Sequence, residues 1–91
     1  MFLHIGNGSS LPLKDIIGIF DLDTATVSKQ TRVVIKQAEQ EKRLSYTDED
    51  LPRSFLLCAD NTLHLSRISS VGLRLRIKEL TEQFGTAEEE E

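Results

Sequence analysis

From Lys14 to Asp23 the chain reads KDIIGIFDLD, and this stretch limits the possible folds more than any other. Ile16, Ile17, Ile19 and Phe20 form the densest β-branched and aromatic run in the sequence, interrupted only by Gly18. A short apolar run with charged or turn residues at both ends predicts a buried strand. It closes on Asp21-Leu22-Asp23-Thr24, whose short polar side chains suit turns and helix N-caps. A helical pattern begins at once. Strand passing directly into helix makes a mixed α and β domain.

That helix is predicted from Ala25 to Arg43. Val27, Thr31, Val34, Ile35 and Ala38 recur at spacings of three and four and mark one apolar stripe. Lys29, Arg32, Lys36, Glu39 and Lys42 fall mostly on the other face. Asp23 or Thr24 would cap the N-terminus, while Lys42 and Arg43 complement the negative C-terminal end. No other segment has so clear a period.

Ahead of the anchor, Phe2-Leu3-His4-Ile5 predicts a strand and Gly6-Asn7-Gly8-Ser9-Ser10 a tight turn, because these residues tolerate positive φ. Leu11-Pro12 starts the return, giving an N-terminal hairpin or meander that runs to about Phe20. The two glycines do not make a phosphate loop, which needs a Lys-Ser/Thr pair and a helix behind it. After the helix, Leu44 to Thr47 alternates as a short edge strand and Asp48 to Pro52 is a solvated loop. Arg53 to Ala59 and Thr62 to Ile68 flank the Asp60-Asn61 turn as a second hairpin. In its second strand Leu63 and Leu65 alternate with His64 and Ser66, so one face is expected to be wet. Ser69-Ser70 would cap a short final helix with Leu73, Ile77, Leu80 and Phe84 on one stripe. Gly72 in the first turn is expected to delay or fray its start. The fold class is therefore α+β, with residues 1–84 as one domain and 85–91 as a disordered acidic tail.

Ninety-one residues suffice for one domain with a modest core. The net charge of −4 comes wholly from Glu88 to Glu91. Without those four, eleven basic groups balance eleven acidic ones, so the distribution of charge matters more than its sum. From Arg67 to Lys78 there are four basic residues and no acid. A cationic field on a neutral body can meet phosphate. Arg74 and Lys78 share a helix face, Arg76 points elsewhere, and Arg67 lies just before the helix.

Catalytic chemistry has no constellation to work with. His4 and His64 are the only histidines, Cys58 sits in an apolar run, and no set of metal ligands emerges, so neither metal nor cofactor is expected. A lone cysteine excludes an internal disulfide. Asp21 and Asp23 suit capping better than acid–base work. A buried polar cleft containing His64 would revive a small enzyme subunit. No apolar stretch reaches the roughly 20 residues of a membrane span, and the opening MFLHIGNGSS is not built like a signal peptide. A cytoplasmic protein with no membrane partner is expected.

The segments FLHIGNG, PLKDIIGIFDLD with Thr24 to Arg32 behind it, and SFLLCADNTLHLSRISSVGL resemble the RemA/RemB regulators of bacterial extracellular-matrix genes, and the RemB-type branch more closely. The resemblance covers about residues 1–76. It implies a DNA-binding transcriptional regulator of biofilm matrix genes, whose compact protomers assemble into rings that meet double-stranded DNA through a basic outer surface. It also implies arginines in the loop before the second hairpin. Here that loop reads Asp50-Leu51-Pro52-Arg53, so only Arg53 keeps the charge. Lys14 stands for a second basic position near Ile16.

Arg53, Arg67, Arg74, Arg76, Lys78 and Lys14 are accordingly the expected phosphate contacts of a non-enzymatic homo-oligomer. The alternative is an oligomeric scaffold or protein-interaction module without nucleic-acid affinity. Ring size, target sequence and a paralogous partner stay open.

Overall fold

The computed structural model describes residues 1–22, 28–47 and 51–89. Phe2–Gly6 (β1) and Ser9–Pro12 (β2) form an antiparallel hairpin, and Leu13–Asp15 is a single 3-10 turn leading into Ile16–Asp21 (β3). Then come Lys29–Gln40 (α1), Leu44–Tyr46 (β4), Ser54–Cys58 (β5), Leu63–Ser66 (β6) and Ser70–Glu89 (α2). The architecture is α+β, as the pattern of the chain predicts. The first turn takes positive φ at Gly6, Asn7 and Gly8 (126°, 45° and 79°), which explains its composition.

β1 and β2 pair only with each other. The four-stranded sheet has the order β3-β5-β6-β4, with β3/β5 and β5/β6 antiparallel and β4/β6 parallel. β5 is its axis. Its odd and even residues point to opposite faces, and both faces are covered. Leu56 meets Leu3, Ile5 and Leu73 from the hairpin and α2, whereas Phe55 joins Leu63, Leu65 and Ala38 beneath α1. The protein is thus three layers: α1, the sheet, and the hairpin with α2.

This arrangement corrects the reading of the Lys14–Asp23 stretch. β3 is an edge strand rather than a buried one, and Ile17 is 65% exposed. Density of apolar residues marks a strand but not its place in the sheet. β5 takes the centre because its hairpin partner β6 pairs on one side and β3 on the other. A register shift between Ile16 and Gly18 turns Ile17 outward. Gly18 in turn lets the Phe20 ring fold back over the strand, since a Cβ there would lie 2.8 Å from the ring. Phe20 then stacks on Phe55 with centroids 4.8 Å apart. The N-terminal meander likewise ends at Pro12, and β3 joins the other sheet.

Helix α1 is capped by Ser28, whose Oγ accepts the Thr31 N–H at 3.1 Å. Ala25, Val27 and the expected caps Asp23 and Thr24 lie outside the described residues. At its far end Lys42 adopts φ 60°, so Lys42 and Arg43 follow the helix instead of sitting in its last turn. Leu44 to Tyr46 is the expected edge strand; Asp48 to Asp50 fall outside the described residues, and Leu51 is exposed.

Helix α2 starts at Ser70 without delay. Ser69 Oγ accepts the Gly72 N–H at 3.0 Å, and a Cβ on Gly72 would come within 3.1 Å of Ile68. Glycine at this position therefore serves close packing at the helix start. The helix runs on to Glu89, past the boundary at 84 drawn from composition. The Phe84 side chain lies outside those described, while Leu73, Ile77 and Leu80 pack onto the core as predicted.

The expected wet face of β6 is covered too. Ser66 is buried, and its Oγ donates to the Ile5 carbonyl at 2.7 Å. The hairpin and α2 lie over that face, which no periodicity within β6 could reveal.

Candidate nucleic-acid interface

The six expected contact residues fall into three places. Arg53 and Arg67 flank the last pair of the β5–β6 ladder, Ser54 and Ser66, one residue before β5 and one after β6. The Arg53 N–H donates to the Ser66 carbonyl, and the Arg53 carbonyl accepts from Leu22, both at 2.8 Å. Both side chains are exposed, and each already takes part in an interaction within the protein.

Arg74, Arg76 and Lys78 project from α2, which is fixed by the Ser69 cap and by the seating of Leu73, Ile77 and Leu80. Arg74 Nη2 donates to the Ile19 carbonyl of β3 at 2.9 Å. Arg76 Nη1 donates to the His4 carbonyl of β1 at 3.1 Å. The two arginines thus reach different strands, as their spacing predicts. Lys78 lies 3.9 Å from Glu82, one turn on, and both are largely exposed.

Lys14 stands apart in the 3-10 turn. With Met1, Phe2, Pro12, Leu13 and Thr81 it walls an open cleft of about 620 Å³. The sequence had no means of placing Lys14 and Thr81 of α2 around one cleft, because they lie far apart in the chain.

His64 heads a short polar chain at the second hairpin. Its Nε2 lies 3.1 Å from Thr62 Oγ1, which donates to Asp60 at 2.6 Å. Burial lowers the His64 pKa, with the Asp60 charge opposing. Burial also pushes the Cys58 thiol up, Asp60 adding to the effect, so no thiolate forms near neutrality. Three His, Cys, Asp or Glu side chains do not come together as a metal site among the described residues.

The His64 shift carries a sign. The unfolded chain binds a proton near pH 6.5 and the folded one only below that. Between those values the unfolded state holds more protons, so stability rises with pH. The urea midpoint should therefore be flat above about pH 7 and fall as pH drops through 6.5. His64→Gln should remove that part of the fall; an unchanged profile would locate the titration elsewhere.

Among the described residues no helix is long and apolar enough to cross a membrane. Fold and surface define a small α+β domain with Arg74, Arg76 and Lys78 on the solvent side of α2. The chain matches the RemA-like family, described as extracellular matrix regulatory protein A-like, over residues 2–77, and it belongs to that family. The matched region holds five of the six expected contacts and ends one residue before Lys78. No curated protein matches the chain.

Proposed function

We propose that this protein is a DNA-binding transcriptional regulator of extracellular-matrix genes, acting without catalysis in the cytoplasm as a homo-oligomer, with a ring as the expected form. The family match over residues 2–77 carries the proposal. The exposure of Arg53, Arg67, Arg74, Arg76, Lys78 and Lys14 supports it. The sequence has Asp50-Leu51 where the resemblance implies an arginine pair, so the basic residues from Arg67 to Lys78 are the substitute contacts in this reading. A single protomer offers few phosphate contacts, so useful affinity requires several copies to act on one duplex.

Titration of a 30-bp duplex at about 50 and 200 mM salt tests this reading. Affinity should fall steeply with salt, and the native mass should be a multiple of 10.3 kDa. Absence of binding at the lower salt would defeat it.

One observation favours the second reading, an oligomeric scaffold without nucleic-acid affinity. Phe20, Thr31, Val34, Phe55 and Leu57 line an open, mainly apolar groove of about 280 Å³ between α1 and the β3 edge. A protein seated there would bury Phe20 and Val34. A large native mass combined with no duplex binding would select this alternative.

A further inference from the structure

We infer that the outward face of α1, carrying Lys29, Arg32 and Lys36, is the surface that lies against the DNA phosphates; this rests on the DNA-binding reading above. Most of the other cations are already engaged within the protein. Arg74 and Arg76 each donate to a backbone carbonyl, Arg43 bonds Glu41 and the Asn61 carbonyl, and Lys78 lies near Glu82. Arg53 and Arg67 are engaged as well. These side chains would have to give up or share protein partners in order to bind phosphate. No hydrogen bond or ion pair among the described residues holds the side chains of Lys14, Lys29, Arg32, Lys36 and Lys42, and of these Lys29, Arg32 and Lys36 lie together on one helix.

Their spacing gathers them. Steps of three and four residues keep all three on one stripe, with about 10 Å of rise between Lys29 and Lys36. The stripe faces away from Ala38, which is fully buried against the sheet. Glu39, the one acid in α1, accepts a hydrogen bond from the Tyr46 hydroxyl at 3.2 Å. Glu39 lies one turn beyond Lys36 and keeps its charge, but among the described residues it makes no ion pair with Lys29, Arg32 or Lys36.

The first turn of α1 adds an independent observation. Lys29 and Arg32 sit where the helix dipole is positive, and that turn holds no acid. Cations there oppose the dipole and weaken the helix. Anions are favoured at the same place, because the free N–H groups and the positive end of the dipole act together with the side chains. An arrangement that costs stability in the isolated protomer becomes favourable once a polyanion lies across it. The sequence places these residues on the polar face of α1, and only the structure shows which other cations are engaged.

The test compares wild type with K29Q/R32Q/K36Q, full-length, on the same 30-bp duplex across a salt series. Three lost phosphate contacts reduce the slope of log affinity against log salt by about 2.7 for each protomer engaged. Between 50 and 200 mM salt this is a difference of about 40-fold per protomer. The native mass should be unchanged, and the urea midpoint equal or higher. An unchanged slope in a variant that binds as wild type does would overturn the inference and leave the proposed function standing. Loss of the native assembly would show the stripe to be a protein contact and overturn it too. If wild type fails to bind at low salt, both proposals fall together.

Discussion

Leu56→Ala should leave a substantial fraction of the protein unfolded under conditions where the wild type is fully folded. Leu56 is fully buried at the middle of the central strand and touches the hairpin and α2 through Leu3, Ile5 and Leu73. Truncating such a residue removes transfer free energy and leaves a cavity, together about 2–5 kcal/mol. Total stability of a domain is about 5–15 kcal/mol, and a chain of this size sits toward the lower part of that range. The urea midpoint should fall sharply with an unchanged slope. Leu57→Ala supplies the comparison, because Leu57 is only partly buried beside the open groove under α1. It should cost clearly less. Equal losses would mean that the two faces of β5 are not packed as described.

Ser66→Ala is expected to have the second-largest effect, of about 2–4 kcal/mol, although it removes a single oxygen. That oxygen donates to the Ile5 carbonyl at 2.7 Å and accepts the Ile68 N–H at 3.0 Å. Alanine would leave both groups without this partner, at about 1–3 kcal/mol for a buried group. Ser54→Ala should cost about half as much, since Ser54 Oγ donates only to the Ile68 carbonyl, at 2.7 Å. The two serines are directly paired across β5 and β6 and hold opposite ends of Ile68. A double-mutant cycle should show coupling between them. Amide exchange at Ile68 separates their roles, accelerating more in Ser66→Ala than in Ser54→Ala. Similar stability losses for the two single variants would mean that the Ile5 bond contributes little.

These two serines show how sequence patterns mislead. Alternation in Leu63-His64-Leu65-Ser66 divides the strand into an apolar and a polar face, and the polar face would ordinarily be wet. The hairpin from the far N-terminus covers it, and its Ile5 carbonyl becomes the partner that makes a buried serine favourable. The β3 misreading has the same origin. Four apolar residues in five positions predict burial, yet pairing on one side only, with a register shift at Ile17, leaves half of them wet. By contrast, Ser69 was legible as a helix cap and the Asp60-Asn61 pair as a hairpin turn, with Asn61 at φ 72°. Both depend on contacts within three residues. The candidate interface divides in the same way. Arg74 and Lys78 sharing a side of α2 follows from spacing, but the carbonyls that hold Arg74 and Arg76 lie 55 and 72 residues away.

The order of strands and helices, the turns at Gly6–Gly8 and Asp60–Asn61, and the inward placing of Ile35 and Ala38 on α1 and of Leu73, Ile77 and Leu80 on α2 were therefore determined by the chain itself, because propensity, capping and periodicity act over a few residues. Tertiary structure alone decided which strand is central, which serines are buried and which cations remain uncommitted. Each of those outcomes depends on a partner brought from a distant part of the chain, and burial or charge pairing has no value until that partner is in place.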